Sequence, residues 1–121
     1  MIKEIREELA TILTNAGIHA FAYGADTISP PCARILPGAP YITTDEAPTG
    51  CWVSRLNVVL IVTGDNEIEQ DSIDDLIEKA FPAINVGKFN ITEVQQPTTV
   101  ATNAGSYYTA TLSVDAIIER I

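Results

Sequence analysis

The side chains able to do chemistry in this sequence are few, and their spacing is uninviting. His19 is the single histidine, the one side chain whose unshifted pKa would serve acid–base work near neutrality. It falls just after Gly17, where a helix is expected to end and a strand to begin. No serine or cysteine beside it makes a recognisable nucleophile–base pair, so a structural or exposed histidine is the better reading. Asp71, Asp74, Asp75 and Glu78 recur at helical spacing and invite a divalent cation. They lack the loop pattern of an EF-hand, and a regular helix presents such carboxylates to solvent rather than around an ion. Weak cation binding that relieves crowding at a subunit contact is the alternative. Cys32 and Cys51 each sit in apolar, strand-like surroundings where a thiol behaves as a small hydrophobe. They form neither a zinc spacing nor a CxxC pair. A disulfide between them is open on sequence grounds, although nothing points to a secretory setting. Glycine-rich phosphate loops are absent, as are basic clusters interleaved with aromatics. The expectation is a protein that is no enzyme and carries neither cofactor nor metal.

What remains is surface suited to recognition. Tyr41, Trp52, Tyr107 and Tyr108 lie near loops or strand ends, and aromatic residues are enriched at the energetic centres of interfaces. For Trp52 and Tyr108, capping the core is the competing reading. Arg34 and Arg55 stand on expected strands of an acidic chain, where they can pair with a neighbour's carboxylates or with local ones. These six residues are the candidate protein interface.

The elements that must position them follow from periodicity. Ile2, Ile5, Leu9, Ile12, Leu13 and Ala16 form one stripe, with Lys3, Glu4, Arg6, Glu7 and Glu8 opposite, so an amphipathic helix is expected. Gly17 is placed to end it in a left-handed cap. Strands are expected at 18–23 and 32–36, and then a long exposed loop at about 37–50, rich in Pro and Gly, with a short strand at 41–43 inside it. Residues 51–63 are the clearest strand, with Trp52, Leu56, Val58, Leu60 and Val62 on one face; its second half is apolar on both faces, as for a strand covered by a helix. Asn66 and Glu69 fit a capping box that opens a helix reaching Phe81, with Pro82 as its stop. Residues 86–95 read as a strand and 97–105 as a polar, Thr-rich loop. The strand at 107–118 places Tyr108, Ala110, Leu112, Val114 and Ala116 on one face. The predicted order is α-β-β-β-α-β-β: a single α+β domain over 1–121, with two helices packed on one mostly antiparallel sheet of about four to five strands.

Composition agrees. With 121 residues and 46% of them hydrophobic, one core can form without a metal or disulfide. Sixteen acidic residues against seven Lys and Arg give a formal charge of −9, which repels phosphate backbones and anionic lipid. The longest apolar run, Val58–Val62, is too short to span a bilayer. A soluble protein made in a cytoplasm is expected, with no membrane partner.

The layout as a whole resembles the tail terminator proteins of long-tailed bacteriophages, in particular small forms from phages of actinobacteria. The elements that carry the likeness are the N-terminal amphipathic helix, Pro30-Pro31-Cys32-Ala33 at a strand start, and the loop from Pro37 to Tyr41. The strand Trp52–Thr63 leading into the acidic helix from Glu67 to Phe81, and the tyrosine-bearing last strand from Gly105 through Val114, complete it. In place of a more basic segment before the long strand, this chain has Asp45 and Glu46. The resemblance implies a homo-oligomer, commonly a six-fold ring, that caps the finished tail tube protein and meets the head-side connector or head-closure protein. It implies a place in the virion at the tail end of the neck, after assembly in the host cytoplasm, with DNA crossing the lumen unbound. Another neck protein, for head closure or tail completion, is a second reading. An acidic inhibitor or immunity protein that masks a basic partner is a third.

Overall fold

A computed structural model of the chain describes residues 2–21, 31–43, 51–63, 67–85, 87–102 and 105–119, with the side chains of residues 2, 67–69, 101–102 and 119 outside that description. Helix α1 (Ile2–Asn15) leads into β1 (Ala20–Phe21), β2 (Cys32–Thr43) and β3 (Cys51–Thr63); α2 (Glu67–Ile84) precedes β4 (Phe89–Val94), β5 (Thr98–Thr102) and β6 (Gly105–Glu119). The architecture is α+β, with two helices and a six-stranded, mostly antiparallel sheet.

The strand order is β1-β2-β3-β6-β4, with β5 also on β6. Only the two-residue β1 runs parallel to its neighbour. The long central pair β3–β6 stays in register from Cys51↔Glu119 to Thr63↔Tyr107. Every second residue of both strands turns to the helices. Leu56, Val58, Leu60 and Val62 of β3 meet Ala110, Leu112, Val114 and Ala116 of β6 in one buried cluster, with Ile5, Leu9 and Leu13 of α1 and Ile73, Leu76, Ala80 and Ile84 of α2. Both helices therefore cover the same face. Gly17 ends α1 as expected: at φ 92°, its N–H donates to the Thr14 carbonyl and that of Ile18 to the Leu13 carbonyl, the paired bonds of a Schellman cap.

Three expectations need correction, and one question left open by the sequence is answered. The sheet has six strands rather than four or five, because Thr98–Thr102, expected as part of a loop, pairs with Gly105–Thr109. Threonine is polar but β-branched, and fits a pleated surface well. The expected exposed loop at 37–50 is strand as far as Thr43, and residues 44–50 lie outside the described part. Pro37 keeps register with Leu56; then β2 advances five residues to Ile42 while β3 advances two to Ser54. The extra residues bulge out, so the prolines distort the strand without ending it. Pro82 does not stop α2, which continues to Ile84. Its ring lies on the exposed side while Ile84 is fully buried, and Asn85 N–H donates to the Phe81 carbonyl beyond it. Finally, Cys32 faces Ile61 and Cys51 begins β3, which separates them by ten residues of extended chain, roughly 33 Å. A disulfide needs Cα atoms within about 7 Å, and both thiols are free. The Asn66 half of the expected capping box lies outside the described residues.

Candidate functional site: the uncovered face of the sheet

Because strand side chains alternate, the residues between the core positions form a second surface. On β6 these are Tyr107, Thr109, Thr111, Ser113 and Asp115, all half-buried, with Ile117 exposed. Arg34 and Leu36 of β2 and Arg55, Asn57 and Val59 of β3 lie beside them by register. No helix covers this face among the described residues. The expectation that the second half of β3 is buried on both sides holds for Ile61 but not for Val59, which is half-exposed.

The face has two parts. One is an apolar cleft of ≈ 240 Å³ bounded by Leu36, Val59, Ile61, Val100 and Tyr107, with Arg34 at its margin. That volume lies below the roughly 300–1,000 Å³ of small-molecule sites and suits one or two side chains. The Arg34 Nε is buried there without a hydrogen-bond partner, a donor that an incoming carbonyl or carboxylate would satisfy. The other part is a polar hollow that includes Asn57, Ser113, Thr92 and Glu93. In it Arg55 Nε stands 3.5 Å from Asp115 Oδ1, a directly opposed cross-strand pair worth about 0.2–1 kcal/mol.

The six candidate interface residues divide between the two faces. Arg34, Arg55 and Tyr107 lie on the uncovered face. Trp52 and Tyr108 lie toward the helices and pack against the core, in accord with the core-capping alternative. The Tyr108 hydroxyl donates to Gln70 Oε1 at 2.6 Å, and Gln70 Nε2 donates to Asp74 Oδ1 at 2.7 Å, a chain that ties β6 to α2. Tyr41 also packs half-buried against the core. Leu36, Val59, Val100 and Thr109 were not singled out in the sequence; their signal is the two-residue alternation shared by neighbouring strands, which becomes a patch only when the pairing is known.

Charge is distributed unevenly. Helix α2 holds six carboxylates against Lys79, and Asp71, Asp74, Asp75 and Glu78 are exposed. The strands set Arg34, Arg55, Glu93 and Asp115 on the uncovered face, two of each sign. His19 is exposed and meets Phe21 edge-on, with ring centroids 4.7 Å apart. Among the described residues no three His, Cys, Asp or Glu side chains converge as a metal site, and no helix is long and apolar enough to cross a membrane. No protein-family model matches the chain, and no curated protein matches it either.

Proposed function

We propose that this protein is a structural assembly subunit: one member of a ring, six-fold by the family resemblance, that caps a bacteriophage tail tube and joins it to the head-side connector. The observation that carries the reading is the uncovered sheet face, an apolar cleft and a charge-balanced polar hollow side by side, in a chain whose excess negative charge gathers on α2. Such a face can be buried against protein with little desolvation of net charge. The mechanism is capping by shape, without chemistry. The acidic α2 surface suits a lumen wall past which DNA slides, since like charge prevents adhesion. Replacing Asp74, Asp75 and Glu78 by lysine is expected to slow DNA passage during ejection, and ejection at the normal rate overturns the lumen assignment.

The test of the function itself is the native mass of the purified protein over a range of concentrations, with and without divalent cation. A discrete species near six subunits, and capped ends when the protein is added to tail tubes in electron micrographs, are the expected results. A strict monomer that also leaves tube ends bare overturns the proposal. It would favour the acidic inhibitor, for which the exposed carboxylates of α2 would be the surface that masks a basic partner.

A further inference from the structure

Two arginines stand on the strands of the uncovered face, and their settings differ. Arg55 opposes Asp115 across β3 and β6, with its Nε 3.5 Å from Oδ1. Arg34 has Phe21 of β1 on one side and Val59 of β3 on the other, and Val59 in turn opposes Thr111. Its row across the sheet therefore contains no acid. The same-face positions of β3 two residues from Val59 are Asn57 and Ile61, which oppose Ser113 and Thr109, and none of these carries charge. No carboxylate pairs with Arg34 among the described residues, and its buried Nε is an unsatisfied donor. In a chain with sixteen acidic residues against seven Lys and Arg, such an arginine is conspicuous. It costs stability, because a donor is withdrawn from water without compensation. Beside it lies the apolar cleft of ≈ 240 Å³, walled by Val59, Ile61, Val100 and Tyr107. Among the described residues that line the cleft, Arg34 alone carries charge. A cation in want of an anion and an apolar space for one or two side chains are thus adjacent.

We infer that this cleft binds the C-terminal residue of a different protein, one that ends in an apolar side chain. That side chain enters between Val59, Val100 and Tyr107, and the terminal carboxylate pairs with the Arg34 guanidinium. The chemistry selects a chain end. Only at a C-terminus do a carboxylate and an apolar side chain share one Cα. Asp and Glu carry the carboxylate at the side-chain tip and need a second residue to fill the cleft. A guanidinium meets a carboxylate through two parallel N–H donors, and chain-end carboxylates are a recurring target of peptide-binding sites. The net charge of −9 repels anions at a distance, so a carboxylate without an apolar body is held weakly and the cleft must supply the rest. The inference goes beyond the assembly reading and needs no contact between copies of this chain.

The experiment titrates the full-length, isotopically labelled protein by NMR with the peptide Ser-Gly-Ser-Gly-Leu, as the free acid and as the C-terminal amide. A third probe is isocaproate, which has the same acid and branched body without a peptide backbone. With the free-acid peptide, the backbone signals of Val59, Val100 and Tyr107 are expected to shift and saturate. The amide and isocaproate are each expected to bind at least about tenfold more weakly. Arg34→Gln should lower the affinity for the free acid by a similar factor and leave the amide unchanged. Lys79→Gln makes the same change in net charge on exposed α2 and should alter neither. The comparison of acid with amide on the wild type needs no substitution, so it decides the matter even if Arg34→Gln fails to fold. No saturable shift with the free acid, equal affinity for acid and amide, or an unaffected Arg34→Gln overturns the inference. Equal affinity for isocaproate overturns the chain end in favour of a small free acid.

Discussion

The two faces of the sheet are made from alternate residues of the same strands, yet they have different tasks. On β6, Ala110, Leu112, Val114, Ala116 and Ile118 are buried under the helices, while Thr109, Thr111, Ser113 and Asp115 between them stay half-exposed. A covered face obtains its stability from excluded water and close packing. The uncovered face keeps β-branched and polar side chains, an apolar cleft and balanced charge. One face holds the molecule together, and the other is left without a helix over it among the described residues. The same split assigns the tyrosines: Tyr108 anchors α2, and Tyr107 borders the cleft.

The comparison can be broken most directly by paired substitutions on neighbouring residues. Leu112→Ala is expected to cost about 2–5 kcal/mol in urea unfolding, and Thr111→Ala within about 0.5 kcal/mol of nothing; similar losses at both would erase the distinction. Next in size is Gly38→Ala. A Cβ at position 38 would stand 2.9 Å from both the Cβ and the carbonyl oxygen of Arg55, so β2 or β3 must shift, at about 1–3 kcal/mol. Because Gly38 borders the polar hollow, the same variant should also weaken self-association, and unchanged stability would show that the close approach is unimportant. Tyr108→Phe removes the bond to Gln70 and should cost about 0.5–1.5 kcal/mol, measured by thermal melting. Tyr107→Phe should leave stability alone, so equal effects would place both rings in one role. The smallest effect is expected at Ser54, the one buried polar side chain in the described core, whose Oγ has no hydrogen-bond partner. Ser54→Ala should be neutral or raise stability by up to about 1 kcal/mol; a clear loss would reveal a partner for that hydroxyl.

Much of this was legible from residue types. The stripe of α1, its cap at Gly17, and the core faces of β3 and β6 are patterns within single elements, where a period of 3.6 or 2 shows directly. The Thr98–Thr102 strand was not legible, since polarity and Pro97 pointed to a loop until β6 supplied its partner. The run of β2 past Pro37 was hidden for a similar reason: the bulge that absorbs the prolines exists only against β3. Of the six candidate interface residues, types alone selected three on the uncovered face and three packed against the core. Aromatic and arginine side chains suit either place, and strand pairing distinguishes them.

The sequence by itself determined the α+β character, the two helices, and which residues of each strand share a face. Tertiary structure alone decided that both helices cover the same face and that β6 sits between β3 and the β4–β5 edge. The reason is physical: periodicity is a local property of a few consecutive residues. Which face is covered and which edge is left open depend on pairings such as Cys51 with Glu119, made between residues that sequence order keeps far apart.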